Sequence, residues 1–425
     1  MTALIHGAAP DPVVVIGAGI VGMASATYLQ RDGHKVVVLD PGEPGEGASY
    51  GNAGCLNGSS VVPMSMSGVL AKVPHWLMDP AGPLSIRLGY LPRLVPWLYR
   101  FIRAGRPDLV REQARALRTL LAPSVEMYRA LAESIGAADL IHRSGLLMVY
   151  RSEASFSADA AGNRLRSDNG VRVDELSQDE VRQLEPSLSR AYVRGRVISE
   201  NGYCGNPLRF TQSLARAFIA AGGEIRCERA QSFTFVEDRV DGVVTAGGRS
   251  PASAVVVAAG AWSKPLAAQL GARVPLDTER GYHAMIKDPE VRPRLPVMDA
   301  DAKFVATPME HGLRMAGTVE FAGLAAAPDW RRARVLLTQG REMFPALARD
   351  AGEERVALWM GFRPSLPDSL PVIGPTRTYA NAFFAFGHGH VGLAAAPMTG
   401  RLVADLVTGR KLAIDVAPFS VRRFG

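Results

Sequence analysis

The sequence predicts a chain of the α/β class, α+β as a whole: parallel strands alternating with helices near the N-terminus, joined to a unit built on a mixed or antiparallel sheet. Three observations lead there. From Val13 to Asp40 an apolar strand, a glycine turn, an apolar helix and a second apolar strand follow one another. Ala254-Val-Val-Val257 is a continuous apolar run ending in Ala258-Ala259-Gly260, the pattern of a strand buried on both faces of a parallel sheet. Between Met285 and Met315 short strands alternate with turns, which suits antiparallel pairing.

The first stretch carries the most chemistry. Val13 to Ile16 run into Gly17-Ala18-Gly19-Ile20-Val21-Gly22, and Ala26, Tyr28 and Leu29 continue an apolar helical face until Gly33 stops it. Gly17 permits a tight turn, Gly19 lets a pyrophosphate approach the backbone, and Gly22 lets helix and strand pack closely. A diphosphate then lies by Ile20 and Val21 at the helix N-terminus, where unpaired N–H groups and the helix dipole favour negative charge. Val36 to Leu39 form the second strand and end on Asp40, placed to accept a ribose 2′-OH. The stretch therefore reads as a Rossmann-like unit for an adenine dinucleotide lacking a 2′-phosphate.

Composition narrows the class. The 425 residues carry a net charge of +7, but no dense basic run is interleaved with aromatics, which argues against nucleic acid as a partner. Cys55, Cys204 and Cys227 are too few and too scattered for a disulfide framework or a metal site. Met1 to Pro10 lacks the pattern of a targeting signal, and no uncharged apolar run reaches the roughly 18 residues of a membrane span. The expectation is a cytoplasmic protein, at most peripheral at the inner face of the membrane.

After Asp40 comes a glycine-rich loop whose centre, Ala48-Ser49-Tyr50-Gly51-Asn52-Ala53-Gly54, offers small residues and free amides to a cofactor. Pro63 to Gly105 alternates apolar and basic residues around a helix expected to break at Pro92 and Pro96. A hydrophobic lid, a membrane-surface contact and an ordinary amphipathic cap all fit it. Asp108 to Ile135 reads as two helices meeting at Pro123, and Leu146 to Tyr150 as a strand. Asn206-Pro207 starts a helix as N-cap and first residue, and Gly222-Gly223 ends it before a strand at Glu224 to Cys227. Trp330 to Phe344 returns to helix. Two further motifs, Gly361 to Gly374 and Ala382 to Ala394, precede a closing helix through Arg401.

A G-x-G-x-x-G turn serves NAD and FAD alike. Here the second strand leads into a long glycine loop and a second glycine-rich helix start recurs near residue 390, an arrangement suited to clamping an isoalloxazine between remote segments. GAGIVG, GASYGNAG, VVVAAGAWS, GFRPSLPDSLPVIG and FGHGHVGL, in this order, resemble the D-amino-acid oxidase (DAO) superfamily of FAD oxidoreductases, most of all its D-amino-acid dehydrogenase branch. The resemblance implies a discontinuous FAD-binding domain (residues 11–62, 196–262 and 359–418) interleaved with a substrate domain (63–195 and 263–358). It also implies noncovalent FAD, contacted by the fingerprint residues and Asp40, by Ser49, Asn52, Ala53 and Gly54, by Ala259 and Gly260, and by Gly387, His388, Gly389, Gly392 and Leu393. N–H groups at Gly387–Gly389 and the helix start would stabilise charge on the reduced pyrimidine ring.

By the same resemblance Arg363 binds a substrate α-carboxylate through its planar fork. Tyr282 is either a second carboxylate contact or an ordinary sheet aromatic. His283 and His388 either take an amine proton, contact the flavin, or are structural; His390, Cys55 and Asn52 are further candidates to line the site. The implied reaction is oxidation of a D-amino acid, a cyclic secondary amine such as D-proline or hydroxy-D-proline among the candidates, with a quinone, a carrier or O2 as acceptor. An O2-using oxidase of the glycine or sarcosine oxidase type and a non-catalytic flavoprotein subunit are the alternatives. Oligomeric state is left open.

Overall fold

Four β-branched residues form β1 (Val13–Ile16), and all four are buried. In the computed structural model, which describes residues 11–66, 73, 76–79, 82–349 and 352–425, β1 sits at the centre of a six-stranded sheet. β2 (Val36–Asp40) and then Glu224–Cys227 lie to one side, with Ala254–Val257, Ala382–Phe386 and Val372–Pro375 on the other. Every pairing is parallel except the last. Both faces are covered, which explains the unbroken apolar runs. On one face α1 (Ile20–Arg31) packs beside the helices Gly392–Thr408 and Pro207–Ala220; on the other lie the helix Ser263–Gln269 and a three-stranded antiparallel sheet, 232–251. The chain departs from β1 toward both sides of the sheet, so its C-terminal end is a topological switch point where ligands bind.

The second unit is a mixed nine-stranded sheet. Its functional end is made by Val356–Ser365, Asp277–Lys287 and Gly312–Phe321, paired antiparallel. Side chains alternate across it. Tyr282, Ala284 and Ile286 point into an apolar core under the helix Arg331–Met343, while Glu279, Gly281 and His283 share the opposite face. A bulge between Gly281 and Tyr282 leaves Thr318 unpaired at φ +51°, a conformation costly for a β-branched residue. The strand carrying Arg363 belongs to this sheet, and the chain re-enters the first sheet only at Val372.

Leu91–Ala104 is one continuous helix, which corrects the break expected at Pro92 and Pro96. Pro92 lies in the first turn, where its missing N–H has no partner to lose, and Pro96 removes a single bond. Leu94 and Trp97, buried against Phe321, hold the element together.

Candidate active site

The dinucleotide cradle follows from backbone geometry. Gly17 has φ +114°, and a Cβ on Gly22 would collide with the Gly17 carbonyl. Gly19 is different: the nearest atom to a Cβ built there is Ser49 Oγ at 3.5 Å, so its absence leaves the turn open to a ligand. Gly19 caps α1 without a side chain, and the Ile20 N–H donates to Ser49 Oγ over 3.0 Å. Asp40 accepts from the Ala18 N–H (2.8 Å) and the Gly42 N–H (2.9 Å), holding the turn while its oxygens keep lone pairs for a hydroxyl. Gly260, just past the neighbouring strand, has φ +54° and no atom within 4 Å of a Cβ position. A helix N-terminus whose cap residue has no side chain, an open glycine and an acid at the end of β2 fit the ADP half of FAD.

Three remote segments could hold the flavin end. Gly387 and Gly389 have φ +82° and +52°, and the helix beginning at Gly392 has no side-chain cap. Tyr128 donates to the Leu393 carbonyl (2.7 Å) and anchors that first turn. The loop through Tyr50, Gly51 and Asn52 lies on the sheet face that carries His283. Gly51 packs on the Trp359 ring with no room for a Cβ, and His283 stacks on Trp359 at 5.1 Å while its Nδ1 bonds the Gly51 carbonyl (3.1 Å). Buried Arg314 donates to the carbonyls of Tyr50 (3.1 Å) and Asn52 (2.6 Å) and tethers this loop. Asn52 turns inward to accept the Gly54 N–H (2.8 Å), beside Ala53, which packs against the core of the second unit.

Arg363 lies half-buried on the same face, over Gly281, whose missing Cβ makes the space. Its Nη1 donates to the Thr318 carbonyl (3.1 Å) and its Nη2 to the Gly317 carbonyl (3.4 Å). The bulge that strains Thr318 therefore presents the acceptors that aim the guanidinium. Glu279 is its cross-strand neighbour. Burial lowers the Arg363 pKa and the charge of Glu279 opposes that, so it remains a cation. A cleft beside it is lined by Glu279, Ser365, Gly387, His388, Gly389 and His390, with Met64 and Phe101 closing it from the cap region.

The histidines are held neutral. Burial, reinforced by Arg314, pulls His283 down to about 3, and burial alone takes His388 to about 3. His388 bonds Thr399 Oγ1 (3.0 Å), while His390, on the solvent side of the cleft, is lowered by its protein surroundings and by Arg363. Burial pushes the Cys55 thiol up to about 11, which keeps it protonated and unreactive.

The structure thus brings together Arg363, His283, His388 and the 387–393 turn, with the 49–54 loop beside them. Tyr282 stands apart. It occupies the opposite sheet face, its hydroxyl donating to Glu320 Oε2 (2.5 Å) and accepting from the Asp329 N–H (2.9 Å), so the second carboxylate contact considered for it is not supported by its position. Glu279, Arg314 and Trp359 join the site without having been singled out in the sequence. The two-residue alternation of a strand was the available signal: it groups Glu279 with Gly281 and His283, and Tyr282 with Ala284 and Ile286.

Comparison with known proteins places the chain in a family. The family model for FAD-dependent oxidoreductases of the DAO type matches residues 12–406. A D-amino-acid oxidase from Bradyrhizobium diazoefficiens is 46% identical over 97% of this chain and 98% of its own length. A D-amino acid dehydrogenase from Paramagnetospirillum magneticum is 34% identical over 97% and 98% of the two chains. Among solved structures, L-proline dehydrogenase from P. horikoshii superposes with a TM-score of 0.75 at 20% identity, over 97% of each chain. Glycine oxidase from Geobacillus kaustophilus gives 0.72 at 24% identity, over 96% of this chain and 97% of its own. These two share the fold. With the fingerprint, the cradle and near-full-length identity in agreement, the chain belongs to the DAO family of FAD-dependent oxidoreductases.

Proposed function

We propose that this protein oxidises a D-amino acid at its α-carbon. The observation that carries the reading is Arg363, a cation fixed over Gly281 in the face that meets the 387–393 turn, with three of its five N–H donors not used on Gly317 and Thr318. A carboxylate is the ligand that such a fork recognises in two parallel bonds. The substrate ammonium first gives a proton to water; when bound, FAD would supply the two-electron acceptor for the α-hydrogen, which leaves as hydride while the amine lone pair forms the C=N bond. The chain's own contribution is placement: Arg363 sets the carboxylate, and the cap helix and the second sheet exclude water from the cleft. His283 and His388, neutral and each engaged in a hydrogen bond, act as walls rather than as acids. The imino acid released hydrolyses in water to an oxo acid and ammonia.

D-Stereochemistry rests on the names of the 46% and 34% identical relatives. Two acceptor classes remain to be distinguished, O2 for an oxidase and a quinone or carrier for a dehydrogenase. A panel of D- and L-amino acids that includes D-proline and hydroxy-D-proline, read by dye reduction and by peroxide release, decides both. Turnover of D-enantiomers supports the reading and silence toward the whole panel overturns it, while peroxide in step with turnover selects the oxidase. The outer face of the helix Leu91–Ala104 supports peripheral membrane contact. Leu91, Val95, Tyr99 and Ile102, with Leu88 in the turn before the helix, are exposed apolar residues near Arg93, Arg100 and Arg103. No helix among the described residues is long and apolar enough to cross a membrane.

A further inference from the structure

Glu279 is a carboxylate where the sheet would accept an apolar side chain. It is 6% exposed, lies directly across the strand pair from Arg363, and lines the cleft with Gly387 to His390. Ser365 Oγ donates to its Oε1 (2.6 Å); no donor among the described residues reaches Oε2, and no ion pair joins Glu279 to Arg363 within 4 Å. Burial raises its pKa, and the nearby Asp277 adds to this against Ser365 and Arg363. Arg363 eases this burial only at a distance and makes no contact ion pair with Glu279, so the oxygen that Ser365 leaves free is open to an ammonium that arrives with the ligand.

We propose that Glu279 receives the substrate's cationic nitrogen, so that Arg363 and Glu279 read the two ends of one zwitterion or of a basic amino acid. This rests on the amino-acid oxidase reading above. The free oxygen of Glu279 accepts an N–H from the ammonium, and Ser365 fixes the carboxylate's rotamer. Two sources of the nitrogen share this chemistry, the α-ammonium of every amino acid and the side-chain ammonium of a basic one.

The test compares flavin-loaded wild type with Glu279→Gln on D-norleucine and D-lysine, together with equilibrium binding of benzoate, a carboxylate with no nitrogen, followed by the flavin spectrum. Loss of one charge-assisted hydrogen bond predicts a fall in kcat/KM of about tenfold to a hundredfold. A fall with both substrates assigns the α-ammonium; a fall with D-lysine alone assigns the side chain. Benzoate is expected to bind as tightly or more tightly, because a negative charge beside Arg363 has gone. Unchanged kinetics with both substrates, or benzoate weakened in step with them, overturns the proposal. Glu279→Asp, which keeps the charge but withdraws it, is expected to show the same selectivity with a smaller loss, and it carries the test if the Gln variant does not load FAD. Wild type that oxidises no amino acid refutes the function itself; wild type that does so beside an unaffected variant refutes only the role of Glu279.

Discussion

At the scale of single residues, the proposed substrate site depends on one arginine whose direction is set by backbone rather than by a counter-ion. Arg363 leans on Gly281 and donates to two carbonyls presented by a bulge. Arg363→Ala removes the two charge-assisted bonds proposed to the substrate carboxylate, about 1.5–3 kcal/mol each, so kcat/KM for an amino acid is expected to fall by at least about a hundredfold while FAD remains bound. Near-normal steady-state kinetics in that variant would sink the assignment. The buried histidines make a separate prediction. His283 and His388 are held near 3 in the folded chain against 6.5 when unfolded. Above about pH 6.5 both states are neutral and stability is full. As pH falls below that value the unfolded chain takes up protons that the folded chain refuses, so stability is lost progressively toward pH 3. The loss is on the order of 2 kcal/mol per histidine between pH 8 and pH 5. Urea unfolding across this range, with wild type and with His283→Asn and His388→Asn, measures the slope each removes; a flat profile in wild type contradicts the account.

At the scale of elements, the glycines of the first turn are not equivalent. Gly22 is filled by the Gly17 carbonyl, so Gly22→Ala is expected to destabilise the fold by roughly 3 kcal/mol or more, whether or not FAD is present. At Gly19 a Cβ would make only an ordinary 3.5 Å contact with Ser49 Oγ, so Gly19→Ala is expected to keep the apoprotein's melting temperature and to weaken FAD binding tenfold or more. Equal behaviour of the two variants in thermal unfolding and flavin titration would show that the turn is not the cradle described. The cap helix makes an independent prediction. Its exposed stripe and exposed arginines should sediment the protein with anionic vesicles, and Arg93→Glu, Arg100→Glu and Arg103→Glu together should abolish this without changing dye reduction. Vesicle binding that survives the triple change would place the contact elsewhere.

At the scale of the molecule, the first unit was legible because its signals are local. Strand, glycine turn, helix and Asp40 occupy 28 consecutive positions, and the N-cap and proline that open the helix Pro207–Ala220 are adjacent residues. The site was less so, because it is assembled from strands far apart in sequence. That Arg363 faces Glu279, or that His283 meets Gly51, depends on the register of Asp277–Lys287 against Val356–Ser365. That register is a property of the folded sheet. Pro96 misled for a related reason: one lost backbone bond costs less than the burial of Leu94 and Trp97 returns, and that burial is tertiary.

The most direct test of amino-acid oxidation uses the purified flavin-loaded protein without any acceptor. Mixed anaerobically with D-amino acids, its visible flavin absorbance should bleach, L-enantiomers should leave it unchanged, and Arg363→Ala should abolish the bleaching at concentrations that suffice for wild type. A flavin that stays oxidised with every amino acid, or that bleaches equally well without Arg363, would contradict the account.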